Sequence, residues 1–470
     1  MPVLMMTEAL AAAREALAGR PAWVVGGAVR DRLLERPTAD LDLVVDADVG
    51  GAARTLARAV RGPVFELSDE FGAWRVLAAD RSWQADLSPL RGGSLEADLA
   101  LRDFTVNAIA EPLAGGERID PHDGARDLAA RRLRVVGASA FADDPLRALR
   151  LVRLAAELGL EPEPATIALA REQAPRIAAV AQERVFAELK RVLAGDEVLG
   201  SLQRMDELGL TAAILPELHA LRGIEQNRYH HADVHDHTIE ALAQTVALQA
   251  DPAAVLGREH AGALRALLAE PLADDVDRGL ALRLGALLHD AAKPATLGHR
   301  EDGSPTFVGH DRAGAQLARD VLTRLRASER LKAHVAALVR HHLRLGFLVH
   351  DLPLTRRELY RYLKTCHPVE VDVTLLSVAD RLATRGRKSG ESIAKHVELA
   401  RDVLPEALAW RAQGHREPLV RGDRLAAELR IGDGPEIGRL LCEIDEARFA
   451  GDVRTPAEAL ALAARVHEQG

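Results

Sequence analysis

Cysteine is almost missing from this chain: two residues in 470, Cys366 and Cys442. That excludes a disulfide framework and a cysteine-built zinc cluster. Aromatic residues make up only 3% of the chain. No apolar run reaches the roughly 18 residues that a membrane-spanning helix needs. The opening stretch MPVLMMTEALAAAREALAGR has no basic flank and no long apolar centre. It reads as a short amphipathic helix rather than a signal peptide. These absences predict a cytoplasmic protein with no membrane partner. Low-complexity tracts and internal repeats are missing too. So is an excess of positive charge: 61 Lys and Arg stand against 70 Asp and Glu, for a net charge of −9. Indiscriminate nucleic-acid binding is thereby disfavoured, although a local basic patch is not.

Ala, Leu and Arg are abundant instead, and 48% of residues are apolar. Ala and Leu are strong helix formers, so a mostly helical chain of two to four domains is expected. Residues 20–137 depart from that expectation. AWVV, LDLVV, PVFEL, AWRVLAA, SWQADLSPL, FTVNAIAE and LRVV read as short strands, punctuated by Gly26-Gly27 and Gly92-Gly93. Helices are predicted over AVRDRLLE and GGAARTLARAV. Beyond residue 141 no strand is predicted. DPLRALRLVRLAAELGL and RVFAELKRVLA have helical periodicity, with Pro145 in a first turn and Asp143 or Asp144 as its cap. Residues 250–280 read as a linker or insertion. The fold class is α+β: an N-terminal head with a small mixed sheet, followed by an all-α body.

One strand carries an anomaly. Asp40 and Asp42 sit two apart in DLDLVV, and strand alternation puts both on one face. Adjacent carboxylates repel unless a cation lies between them. Oxygen ligands suit Mg²⁺, which also takes substrate phosphates, and two such ions can clamp a phosphoryl transfer. Asp86, in WQADLSPL, is the candidate third carboxylate. Gly26 and Gly27 let backbone N–H groups approach a triphosphate closely, and Arg30 adds a charge-assisted contact. A basic segment follows at 126–153, with Arg126, Arg131, Arg132, Arg134, Arg147, Arg150 and Arg153.

GGAVRD…DLDLVV resembles the head of the class II tRNA nucleotidyltransferases and bacterial poly(A) polymerases, of the polymerase-β-like superfamily. The likeness continues through SLEADLALRDFTVNAIA, DPHDGARDLAARRLRVVG and FADDPLRALRLVRLAAELGL, over residues 22–225. It implies catalytic metals on Asp40 and Asp42, with Asp86 as the third catalytic carboxylate. It implies triphosphate contacts from Gly26, Gly27 and Arg30, and ribose recognition by Arg102, Asp103 and Asn107. Reading of the incoming base falls to Asp144 and Arg147, with Arg150 in the nucleotide-binding set. A carboxylate accepts from the exocyclic amine of cytosine or adenine, while a guanidinium donates to a ring nitrogen. The implied partners are tRNA, CTP and ATP; nothing points to a protein partner. Three departures from the family stand out. Asp143 replaces a Glu, and Leu101 replaces an Arg. Only Arg91-Gly92-Gly93 stands where many members carry a longer flexible loop linked to switching from C to A. Members that add only the two cytidines tend to lack that loop, so addition of CC is expected, with CCA open. The alternatives are an A-adding enzyme or poly(A) polymerase, and a phosphohydrolase with an RNA-binding head.

The histidines carry a second pattern. The ordered series His237, His289-Asp290, Asp380 resembles the HD phosphohydrolases, whose metal is held by ligands in that order. Imidazole with carboxylate suits a divalent transition metal or Mg²⁺. His310 and one of His341 or His342 are candidates for a second metal or a phosphate. The expected layout is a head at 1–140, a helical neck at 141–225 for base selection and tRNA contact, an HD domain at 226–390 and a helical tail at 391–470. In the tail, Gly434-Pro435 is predicted to open a helix.

Overall fold

The structure is a computed structural model that describes residues 2–68, 72–226, 233–384, 389–414, 417–432 and 434–469. It forms two compact units, Met1–Ile214 and Leu215–Gly470. It is an α+β protein whose six-stranded sheet lies wholly in the first unit.

That sheet runs β3-β4-β5-β2-β1-β6, from β1 (Ala22–Val25), β2 (Asp40–Val45), β3 (Val64–Ser68), β4 (Ala73–Leu77), β5 (Gln84–Pro89) and β6 (Ala110–Pro112). Only the β2–β5 pair is parallel, and it sets Asp42 opposite Asp86. Leu41, Leu43 and Val45 point to one face of β2, where they join Leu17, Leu56 and Leu87 in the larger core. Each fully buried Leu contributes roughly 1.5–3 kcal/mol, which fixes the register. Asp40, Asp42 and Val44 share the other face. Val44 is sealed by Leu95 and Leu99, whereas exposure increases through Asp42 to Asp40. The carboxylates therefore sit at the open end of an otherwise covered face.

The short connection at Arg91-Gly92-Gly93 is a tight turn. Ser94 caps the Leu95–Ala100 helix by accepting from Ala97 N–H. Gly92 has φ +72°, and a Cβ there would lie 2.7 Å from that of Ala97. Buried Asp98 accepts from Arg91 and Arg102 and ties the turn down.

Several local expectations are corrected. FTVNAIAE contributes a 3₁₀ turn at Thr105–Asn107 and only the first two residues of β6. Of LRVV only Leu133 is in a strand, Arg132–Leu133, which pairs with Glu161–Pro162, a strand beyond residue 141. Two further short hairpins lie in the second unit, Pro271–Ala273 with Val276–Asp277 and Gly298–His299 with Pro305–Thr306. Residues 250–280 are no linker: they form helices Pro252–Leu256 and Ala261–Leu268, with Leu256, Leu264 and Leu267 buried. Elements this short offer no periodic stripe to read. Pro145, not an aspartate, holds the cap position of Leu146–Leu158, and Asp144 accepts from Leu146 N–H one residue earlier.

In the second unit, helices Val234–Ala250, Arg278–Leu288, His310–Arg324, Glu329–His341 and Glu370–Leu382 bring the histidine series together. Ser389–Gln413, Gly422–Leu429, Pro435–Ala450 and Pro456–Glu468 follow. The last three surround a small core of their own that includes Leu425, Leu440 and Ile444. Gly434 caps the helix that Pro435 opens.

Candidate active site and a second candidate metal centre

A cleft of about 730 Å³ opens in the first unit. Every residue singled out there lines it: Gly26, Gly27, Arg30, Asp40, Asp42, Asp86, Arg102, Asp103, Asn107, Asp144, Arg147 and Arg150. Nine arginines and six aspartates line it in all. The cleft is thus locally basic within an acidic chain, which suits a polyanionic ligand.

Gly26 links β1 to the Gly27–Leu33 helix with φ +64°, and a Cβ there would lie 2.8 Å from Arg102 Nη1. A side chain is excluded on both counts. Asp42 has its carboxyl pushed up to about 6, first by burial and then by the facing Asp86 and neighbouring Asp40, against the opposing pull of Arg102 and Arg30. A carboxylate this unfavourably placed fits a bound cation, which would remove the repulsion. Asp86 receives a two-pronged contact from Arg75, with both N···O distances 2.7 Å. That pairing, invisible in the sequence, holds Asp86 at the rim.

A polar chain runs outward from the glycine turn. Arg30 donates to Asn107 Oδ1 at 2.6 Å, and Asn107 Nδ2 donates to Asp103 at 3.0 Å. Asp103 also accepts from Arg150 at 2.6 and 2.9 Å. Burial alone would raise the Asp103 carboxyl, but Arg150 and the hydrogen bonds hold it well below the usual carboxylate range. Glu188, on Gln182–Ala194, anchors Arg150 at 3.4 Å and Arg153 at 2.5 Å. Arg147 donates to the carbonyls of Leu101, Arg102 and Ala140. Asp144 accepts from Arg184 at 2.7 Å. Arg75, Asp98, Arg184 and Glu188 are site residues that sequence reading missed. Parts of the basic segment are tied to the protein while remaining at the surface: Arg134 and Arg132 pair with Asp127, and Arg131 donates to the Leu158 carbonyl.

The histidine series converges in the second unit. Ligand atoms of His237, His289 and Asp380 lie within 4.8 Å of one another, and so do those of Asp290, His310 and His342. The two triads adjoin: His289 Nε2 is 3.1 Å from Asp290 Oδ2, and His237 Nε2 is 2.9 Å from Asp380 Oδ1. His289, His310 and His342 each turn Nδ1 to the carbonyl three residues back, at 2.7–2.8 Å. Protonation at Nδ1 leaves Nε2 free as a ligand atom, so the donor set fits a divalent metal. Burial alone would lower the His289 ring, but Asp290 and then Asp380 outweigh it and raise it to about 9. Burial and the neighbouring His289 push His342 down to about 4. Lys293 Nζ adds a cation 2.7 Å from Asp290. His341, the other half of the adjacent pair, stands outside both triads. Residues one apart at a helix end point in different directions, which the sequence could not arbitrate.

Comparison with known proteins adds three matched regions. The poly A polymerase head domain matches residues 22–92 and 77–134, a probable RNA and SrmB-binding site of polymerase A matches 159–222, and the HD domain matches 262–385. The chain is 36% identical to an A-adding tRNA nucleotidyltransferase of Deinococcus radiodurans, over 95% of each chain. It is 34% identical to a CC-adding tRNA nucleotidyltransferase of Thermus thermophilus, over 94% of this chain and 93% of the relative. A solved complex of a CCA-adding enzyme with CTP has the same fold, with a TM-score of 0.64 at 19% identity over 99% of this chain and 98% of that one.

Proposed function

The chain belongs to the tRNA nucleotidyltransferase family, with a C-terminal HD domain, and from that premise we propose that it adds cytidine nucleotides to the 3′ end of tRNA. CTP is the donor, with ATP used if A is added, pyrophosphate leaves, and no nucleic-acid template is read. The site of action is the cytoplasm. The observation that carries the reading is the cleft, where a desolvated Asp42 faces Asp86 beside a glycine turn in a basic surround. Non-catalytic RNA binding would not call for anions there.

Asp40 and Asp42, with Asp86 beside them, are the residues that would hold Mg²⁺. The bound ions would supply Lewis-acid stabilisation to the attacking hydroxyl and to the leaving charge. Gly26 and Gly27 leave room for phosphate oxygens, Arg30 neutralises them, and Arg102 joins Asp103 and Asn107 at the ribose. Asp103 keeps Asn107 and Arg150 in place beneath the ribose. Asp144 accepts from the exocyclic amine of the base and Arg147 donates to its ring nitrogen. That readout admits C and A and rejects U and G, which present a carbonyl at the amine position. Arg184 and Leu146 N–H, which donate to Asp144, leave acceptor capacity on its carboxylate and hold it in place. The neck at 141–225 and the basic segment hold the acceptor end through phosphate and shape.

The tight turn at Arg91-Gly92-Gly93 favours CC addition, since the longer loop linked to the switch from C to A is missing. The likeness to the A-adding relative supports addition of A as the second reading. In the HD region, at 226–390, His237, His289, Asp290 and Asp380 would hold a divalent transition metal or Mg²⁺, with His310 and His342 at a second position. A phosphomonoester or cyclic phosphate is the substrate class for that centre. Paired variants test the assignment. Asp42→Ala should abolish extension of tRNA and leave any phosphatase intact, and His289→Ala should do the reverse. Loss of both activities in either variant contradicts two independent sites.

A further inference from the structure

Aromatic side chains are scarce here, with 8 Phe, 4 Trp and 3 Tyr in the whole chain. Three of them meet at one place in the second unit. Tyr360, on Arg356–Cys366, Trp410, near the end of Ser389–Gln413, and Phe449, near the end of Pro435–Ala450, have ring centroids 5.6–5.9 Å apart at steep mutual angles. Tyr360 is buried, whereas Trp410 and Phe449 are half-exposed. All three border a cavity of about 450 Å³, which also takes in Lys364, His367 and Arg448.

The rim is cationic. Lys364 Nζ donates to Tyr360 Oη at 3.0 Å. Arg448 donates to the Glu417 carbonyl, a neutral partner. Beyond the cavity lining, Arg356 pairs with Glu406 and covers the Phe449 ring, 4.3 Å from its centroid. Among the described residues, Asp445 is the one carboxylate lining the cavity, 3.8 Å from Lys364. A purely apolar partner would leave these charges desolvated. A flat ring carrying an anionic phosphate satisfies both halves: stacking on half-exposed Trp410, phosphate against Lys364 and Arg448, and a base amine toward Asp445. Resting on the tRNA substrate proposed above, we propose that this cavity receives one unpaired nucleotide of the bound RNA. It is a docking subsite made of residues outside the cleft and outside the histidine cluster.

The test uses the full-length protein and labelled tRNA lacking its 3′ terminal nucleotides, with affinity followed by anisotropy across a salt series. Trp410→Leu removes the stacking face but keeps apolar volume, and should weaken binding about 5- to 100-fold. Lys364→Gln with Arg448→Gln should weaken binding and reduce the salt slope by about one to two. These rim changes keep all three rings, and Gln can still donate to Tyr360 Oη, so they test the idea even if the Trp410 variant is unstable. In steady-state extension both variants should raise KM for tRNA with kcat unchanged. Wild-type affinity and salt slope in the rim variant would overturn the proposal. So would quenching of Trp410 emission by CMP combined with unaltered tRNA affinity, which would make it a free-nucleotide site. Wild-type protein that extends no tRNA contradicts the function proposed above, whereas active wild type with unaffected variants contradicts this subsite alone.

Discussion

Replacing Asp42 by Asn should inactivate the protein and, in the absence of divalent metal, stabilise it. The Asp42 carboxyl rises from an ordinary 3.8 to about 6 in the fold. At 1.36 kcal/mol per tenfold, that displacement is about 3 kcal/mol against the ionised form. Asp42 opens onto a cleft, so solvent screening reduces the figure to roughly 1–3 kcal/mol. Because the folded value lies above the unfolded one, the contribution of Asp42 to stability is fully present below about pH 4. It is lost as pH rises through about 6. Asn has nearly the same shape and no charge to desolvate. In EDTA at pH 7, Asp42→Asn should therefore raise the unfolding free energy by roughly 1–3 kcal/mol. The gain should shrink toward zero near pH 4. Urea titration followed by tryptophan emission reads this, since Trp23, Trp74 and Trp83 all lie in the first unit. Added Mg²⁺ should stabilise wild type and leave the variant unmoved. A variant less stable than wild type in EDTA at pH 7, or a gain independent of pH, would refute the account of why these anions sit on a core strand.

Other consequences can be checked separately. Asp144→Asn adds a donor where only an acceptor stood, so the preference for CTP over UTP should fall about 10- to 100-fold in kcat/KM, corresponding to the loss of one discriminating hydrogen bond. Gly26→Ala forces a non-glycine residue to φ +64° against Arg102. It should cost about 1–2 kcal/mol of stability and raise KM for the nucleotide. His342→Ala and His289→Ala should each lower the metal content of purified protein, measured by elemental analysis, whereas His341→Ala should leave it at the wild-type level.

The Asp40–Asp42 pair and the glycine turn were legible because each is a local pattern, strand alternation and a flexible turn, whereas the histidine series, with His237 and Asp380 143 residues apart, was read from its resemblance to the HD phosphohydrolases. Their supports were not legible. Arg75 reaches Asp86 across 11 residues, Arg184 reaches Asp144 across 40, and Glu188 reaches Arg150 across 38. No spacing rule connects such pairs, and an arginine is an unremarkable residue in this chain. The helices at Gly27–Leu33 and Val49–Val60 were expected over AVRDRLLE and GGAARTLARAV, while the two- and three-residue strands beyond residue 141 were not. Residues 250–280 looked like a linker because their two helices are only 5 and 8 residues long, set among Asp, Gly and Pro.

Extension of tRNA decides the central claim. Three transcripts are needed: one lacking all three terminal nucleotides, one carrying the first C and one carrying both. Each is incubated with wild-type protein, Mg²⁺ and one labelled nucleotide, and the products are sized. The account predicts two added residues on the first transcript with CTP, one on the second, and none on the third. Addition of A to the third transcript would contradict CC-only addition, and extension of none would contradict nucleotidyl transfer to tRNA.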